Sequence, residues 1–371
     1  MNEDCALRHR YRVPSMWPDT PIVRLFGCDV PIVQAPMAGC ATPALVAAVS
    51  NAGGLGSIAA AYDQPDAIRA QIKALRHLTD RPFAVNLFLP TVTNINMESV
   101  DRAITALTSW REKFGISGDT PPLTMPDFEA QFDVVLSEKP RVFSFTFGSL
   151  PPERIGALKS AGIIVAGTAT TVAEAERLEA DGVDAVIAQG SEAGAHRGGF
   201  LAPFAESEIG LMALVPAMAD KVRIPIIAAG GIMDGRGIAA ALMLGAKGVQ
   251  MGTAFLVTDE SGAAPVWKKS VLEQYYDSTK ITRVFSGRPA RSIRNEMMMA
   301  LEKHESGLPG FPALNVLTRA IRSAAGRTGD AQALSLFAGQ AAPLARAMTA
   351  SDLVHKLAIE TSQRLDEGFQ G

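Results

Sequence analysis

Eight short apolar runs, spaced between amphipathic stretches, constrain this chain more than any other feature. They fall at 31–35, 55–60, 83–88, 142–147, 163–167, 185–189, 225–229 and 248–255. Several lack any polar alternation, as parallel strands covered on both faces do. Helical periodicity fills the gaps. Leu211, Leu214, Val215, Met218 and Val222 form one helical stripe. Thr171-Val172-Ala173-Glu174 reads as a capping box, with Gly182 as the stop. The string Gly182-Val183-Asp184-Ala185-Val186 is echoed by Gly245-Ala246-Lys247-Gly248-Val249, each after a strand, a turn and a helix. Repetition of βα units with eight strands predicts an α/β fold, the (β/α)8 TIM barrel. A doubly wound open sheet is the alternative, because a sequence does not display closure.

Composition agrees with a large packed core. Of 371 residues, 47% are hydrophobic and only 6% aromatic, which suits tight α/β layers better than a β-sandwich. The formal net charge of −3 gives nucleic acid no electrostatic footing. Cys5, Cys28 and Cys40 are too few for a disulfide framework. The N-terminal residues carry no signal-peptide pattern. No apolar run reaches membrane-spanning length. A cytoplasmic protein with no membrane or nucleic-acid partner is the expectation. The barrel is expected over residues 21–258, with an excursion at 92–130. Residues 259–340 are expected to form an inserted, mostly helical substrate or cap domain. Residues 341–371 should return to the barrel as a final helix, capped near Thr349 or Ser351.

Chemistry in such a barrel belongs at the carboxyl ends of the strands. The richest loop there is Gln189-Gly190-Ser191-Glu192-Ala193-Gly194-Ala195-His196-Arg197-Gly198-Gly199. His196 stands out from the other histidines by this glycine-bounded position, and an imidazole can serve as base, acid or cation near neutrality. Glu192 and Arg197 read as loop-fixing ion-pair partners. Pro36-Met37-Ala38-Gly39, Asn86, Gly230-Gly231 and Gln250-Met251-Gly252-Thr253 also follow or end strands, so they should converge on one rim. Glycine turns after the last two strands form the usual phosphate site of such barrels. No GxGxxG motif opens a helix after the first strand, and no P-loop is present, which disfavours a Rossmann site. No metal-ligand spacing occurs. Cys40 reads as a small buried residue, and the Met297-Met298-Met299 run as packing.

Taken together, Pro31-Ile-Val-Gln-Ala-Pro-Met-Ala-Gly39, Ala52-Gly-Gly-Leu-Gly56, Val85-Asn86, the 189–199 loop, Ala228-Ala-Gly-Gly-Ile232, Gln250-Met-Gly-Thr253 and Ser335-Leu-Phe-Ala-Gly-Gln340 resemble the nitronate monooxygenases. The resemblance implies non-covalent FMN. It also implies oxidative denitrification of alkyl nitronates, and of nitroalkanes once ionised, by O2 to a carbonyl compound and nitrite. Pro36, Met37 and Ala38 would line the flavin ring, and Asn86 and Gln189 would hydrogen-bond it. Gly194, Gly230, Gly231, Gln250, Met251, Gly252 and Thr253 would hold the ring, ribityl chain or phosphate. His196 would be the active-site histidine, either as a base or as the partner of an anionic nitronate. Related NAD(P)H-dependent enoyl-acyl-carrier-protein and quinone reductases are the runner-up, and a non-enzymatic flavin-binding barrel is the third reading. Oligomeric state stays open, with a homodimer among the forms allowed. The family commonly carries glycine where this chain has Ala195 and Cys40. If position 195 needs a positive φ, alanine there is strained.

Overall fold

A computed structural model describes residues 20–91 and 95–367. The N-terminal segment with Cys5 and His9, residues 92–94 of the first excursion and residues 368–371 lie outside the described residues. The eight expected strands are β1 (Ile32–Gln34), β2 (Gly56–Ala59), β3 (Phe83–Phe88), β4 (Val142–Thr146), β5 (Ile164–Ala169), β6 (Ala185–Gln189), β8 (Ile226–Ala229) and β9 (Gly248–Met251). All pair in parallel, in the order β1-β9-β8-β6-β5-β4-β3-β2. The two ends of that order meet. Val33 and Leu55 form a parallel bridge, with Leu55 N–H donating to Ile32 O and Gln34 N–H to Leu55 O, both at 2.9 Å. The sheet therefore closes into a barrel.

Side-chain alternation builds the barrel's layers. Val33, Leu55, Ala84, Val142, Ala166, Ala185, Ile187 and Ile227 cluster inside, and the helix Pro21–Phe26 plugs the floor with Ile22 and Phe26. Their sequence neighbours Ile32, Val85, Phe143, Val165, Val186 and Val249 face the surrounding helices. Moving two residues along the inward-facing positions, the side chains become polar: Asn86, Ser144, Thr146, Thr168, Gln189 and Gln250. This polar layer is the floor of the functional rim.

Helix ends follow the sequence signals. Thr171 Oγ1 accepts from Glu174 N–H at 3.3 Å, and Gly182 ends that helix at φ +99°. The Glu174 carboxylate, however, reaches back to Thr170 N–H at 2.6 Å and to its hydroxyl at 2.8 Å. Asp234 caps the helix Gly235–Met243. Thr349 Oγ1 accepts from Asp352 N–H at 3.1 Å at the start of the final helix, Ala350–Glu367. The strand expected at 248–255 stops at Met251, and Thr253–Leu256 turns into a short helix.

The 259–340 segment has more helix than strand. It contains the helices Pro265–Leu272, Glu296–Glu302 and Ala313–Thr328, but also a hairpin of β10 (Thr279–Thr282) and β11 (Ala290–Ile293). β11 continues into a second sheet by pairing antiparallel with β7 (Ala195–His196), in the loop after β6. The helix Met97–Lys113 of the first excursion packs on the helix Ala313–Thr328. Val100, Ala103 and Leu107 thus join Met297, Met298, Leu314, Leu317 and Ile321 in a second core. Met297 and Met298 are packing residues, while Met299 is exposed.

Candidate active site

Above the polar layer lies a cavity of about 280 Å³. Its wall includes Pro36, Met37, Ala38, Asn86, Gln189, Gly194, His196, Gly230, Gly231, Gln250, Met251, Gly252 and Thr253. Segments far apart in sequence meet here because each ends a strand of one closed barrel. The side chain of Met251 itself packs in the outer core. Asn86 is buried and donates through Nδ2 to Ser144 Oγ at 2.9 Å. Gly230 and Gly231 take φ +119° and +67°. A Cβ on Gly230 would lie 2.9 Å from Ala193 N, and one on Gly231 would lie 3.1 Å from Glu192 Cβ. Only glycine fits this turn, which leaves its backbone open to the cavity. Gly194 has a different reason: a Cβ there would sit 2.6 Å from Ala338 C and Gly339 N.

The 189–199 loop is braced, not loose. Gln189 spends its amide on the loop it begins, donating to His196 O at 2.9 Å and accepting from Gly198 N–H at 2.8 Å. Arg197 is buried and donates to the carbonyls of Gln189, Gly190 and Ser207 at 3.1, 2.6 and 2.8 Å. Glu192 accepts from Leu211 N–H at 2.8 Å, at the start of the helix Leu211–Ala219. Glu192 and Arg197 therefore fix the loop as expected, but through backbone groups and not as an ion pair with each other. Two arginines from the hairpin hold the outside. Arg291 donates twice to Ser191 O, at 3.1 and 2.9 Å, and Arg288 donates to Gly199 O at 2.7 Å. Ala195 does sit in the left-handed region, at φ +60°.

His196 lies at the centre. It is half-buried, opens on the cavity, and shares 2.8 Å with Ser286 Oγ through Nε2. Phe88, Phe147, Phe311 and Phe337 surround its ring at centroid distances of 6.0, 5.9, 5.8 and 5.6 Å. Burial pushes its pKa down to about 3, with Arg288 and then Arg322 adding to the effect. At neutral pH the imidazole is uncharged. Arg288 also stacks over Phe147, 3.7 Å from its centroid, and Phe147 holds a strained φ of +78°.

Opposite stands Arg322, on the cavity wall. Its hydrogen bonds go to neutral oxygens: Thr318 Oγ1 at 3.1 Å, and Asn315 O and Oδ1 at 2.9 and 2.8 Å. Burial lowers its pKa to about 10, so it stays a cation. Tyr62, also on the wall, is pushed up to about 12 by burial. Cys40 lines the cavity as a buried thiol, pushed to about 12 by the same cause. Among the described residues no cluster of three or more His, Cys, Asp or Glu could hold a metal ion. Among them, too, no helix is long and apolar enough to cross a membrane.

Sequence reasoning missed the aromatic cage, Ser286, Arg288 and Arg322. Phe88 carried a usable signal, since it lies two residues past Asn86 on the same strand face. Phe337 lies within the 335–340 motif. Arg322 sits on a helix of the second core, whose approach to the barrel no local pattern encodes.

Comparison with known proteins agrees with this geometry. The family model for nitronate monooxygenase matches residues 19–360. A "probable nitronate monooxygenase" of Staphylococcus saprophyticus is 42% identical over 349 residues, covering 93% of this chain and 98% of the relative. One from Bacillus subtilis is 44% identical over 324 residues, covering 86% and 92%. Among solved structures, nitroalkane oxidase from Streptomyces ansochromogenes superposes with a TM-score of 0.85 at 42% identity, covering 91% of this chain and 96% of that one. FabK from Thermotoga maritima superposes with a TM-score of 0.76 at 31% identity, covering 94% and 98%. On its matched span, its relatives and its barrel, the chain belongs to the nitronate monooxygenase family of flavin-dependent oxidoreductases.

Proposed function

We propose that this protein binds FMN and converts alkyl nitronates, and nitroalkanes that it first ionises, to carbonyl compounds and nitrite with O2. The observation that carries the substrate reading is Arg322, a half-buried cation on the cavity wall whose hydrogen-bond partners are all neutral. A half-buried charge with no anionic hydrogen-bond partner favours an anion in the same cavity, and attraction is stronger there than in water. A nitronate is such an anion, and the four phenylalanines around His196 suit its alkyl part.

FMN fits the residues present. The glycine turn at Gly230-Gly231, where a Cβ has no room, and Gly252-Thr253 on the neighbouring strand end suit a phosphate. Pro36, Met37, Ala38 and Asn86 would bound the ring, with Gln189, Gly194, Gln250 and Met251 completing its surroundings. When bound, the flavin supplies the acceptor that relays substrate electrons to O2. The chain's own residues bind, orient and exclude water. His196 handles the substrate's proton or contacts its nitro group. In this reading residues 21–258 carry the cofactor, residues 259–340 cap the substrate end, and residues 341–371 close the barrel's flank. We place the enzyme in the cytoplasm.

The test is oxygen uptake and nitrite release with a panel of nitronates and nitroalkanes, with the absorbance spectrum of the purified protein. An FMN spectrum with nitrite formed from nitronates is the expected result. Arg322→Met should raise KM for nitronates by roughly tenfold or more, the order of a charge-assisted hydrogen bond. An NAD(P)H-dependent reductase, which the same motifs also resemble, is the second reading. Rapid anaerobic bleaching of the flavin by NADPH, with none by nitronates, would replace the monooxygenase reading with it.

A further inference from the structure

Ser286 is not a barrel residue. It sits in the turn between β10 and β11, 90 residues from His196 in sequence, and is 2% exposed. Its hydroxyl has three neighbours. It donates to Arg288 O at 3.1 Å, it accepts from Arg288 N–H at 3.3 Å, and it lies 2.8 Å from His196 Nε2. A serine hydroxyl offers one donor and two acceptor positions. With its proton on Arg288 O and one lone pair on Arg288 N–H, the capacity left is that of an acceptor. His196 Nε2 must then carry the proton. The opposite tautomer would draw the serine proton to Nε2 and leave the half-buried Arg288 carbonyl without this donor, at the expense of a hydrogen bond. Among the described residues Nδ1 of His196 has no hydrogen-bond partner, and the residue lines the cavity.

We propose that Ser286 is a positioning residue that holds His196 in the Nε2–H tautomer, so that the Nδ1 lone pair faces the substrate. His196 then meets a neutral nitroalkane as an acceptor. The substrate's α C–H bond breaks, an N–H bond forms at Nδ1, and the electron pair moves into the nitro group to give the nitronate. The base atom is thereby Nδ1. The kinetic consequence rests on the reaction proposed above, whereas the tautomer does not.

The experiment is ¹⁵N NMR of the full-length, flavin-loaded protein labelled at histidine, with the His196 signals assigned by their loss in His196→Gln. The expected result is Nε2–H at neutral pH in the wild type, mixed tautomers in Ser286→Ala, and restoration in Ser286→Thr. The kcat/KM of Ser286→Ala with a neutral nitroalkane should fall at least ~10-fold, within the ~10²–10⁴-fold that a positioned general base contributes. An Nδ1–H tautomer in the wild type, or an unchanged Nε2–H tautomer in Ser286→Ala, would overturn the proposal. The wild-type spectrum decides it even if the alanine variant does not fold. If neither nitroalkanes nor nitronates are turned over, the reaction reading fails while the tautomer still tests the role of Ser286.

Discussion

Ala195 shows how a single residue can carry both a family difference and a measurable energy. At φ +60° an alanine occupies backbone space that costs an L-residue about 1–2 kcal/mol. Glycine would relieve that strain but bring about 0.4–1 kcal/mol of extra unfolded-state entropy. Ala195→Gly should therefore stabilise the protein by about 0.5–1 kcal/mol net, read as a higher urea midpoint with an unchanged slope. His196 makes a second prediction at this scale. Burial, then Arg288 and Arg322, hold its pKa near 3, below the ordinary 6.5. Between those values the unfolded chain binds a proton that the folded one refuses. Stability is thus full above pH 6.5 and is lost as the pH falls toward 3. In His196→Gln the acid limb of a plot of denaturation midpoint against pH should be flatter; an identical limb in both proteins would show that other groups set it.

At the scale of elements, the decisive feature is β7, a strand of two residues, Ala195–His196, recruited by β11. Its parent loop was visible in the sequence because glycine, carboxylate, imidazole and guanidinium are crowded together there. Its strand pairing was not, since two residues carry no periodicity and the partner lies in another segment. Arg291 locks that pairing through its two bonds to Ser191 O. Arg291→Met should cost about 1.5–3 kcal/mol, the range for hydrogen bonds from a charged group. Hydrogen exchange should locate the loss, with amides of 190–197 exchanging faster and those of β3 to β5 unchanged. The apolar runs predicted seven of the eight barrel strands to within a few residues. At 248–255 the run continued past the strand because Ala254, Phe255 and Leu256 are equally buried as a helical turn. Burial alone does not distinguish the two.

Across the whole molecule, the final helix, Ala350–Glu367, packs on the helix Gly235–Met243 that follows β8. Glu360 accepts from Gly235 N–H at 3.2 Å and from Arg346 Nη2 at 3.1 Å. A Cβ on Gly235 would lie 2.4 Å from Glu360 Cβ and 2.6 Å from Thr361 N. Gly235→Ala should force the helix Gly235–Met243 and the final helix apart, at about 1–3 kcal/mol as for other overpacking. Because Gly230-Gly231 lead directly into that helix, flavin retention on gel filtration should drop along with thermal stability. Gly156→Ala is the control. Its Cβ meets nothing within 4 Å in the helix Pro152–Ser160, so the variant should gain about 1 kcal/mol from helix propensity.

The sequence by itself determined the eight βα units, their strand ends and the residue types at those ends. Those depend on alternation, helical period and glycine turns, which are properties of neighbouring residues. Closure through Val33 and Leu55, the joining of two excursions into one core, the aromatic cage and the Ser286–His196 contact were decided only in the tertiary structure. Each pairs residues from segments whose own patterns are satisfied without the other, so no local signal distinguishes the true partner from the rest of the chain. Chemistry of residue type singled out His196; only three-dimensional packing placed an arginine on the wall of the same cavity and a serine at one edge of its ring.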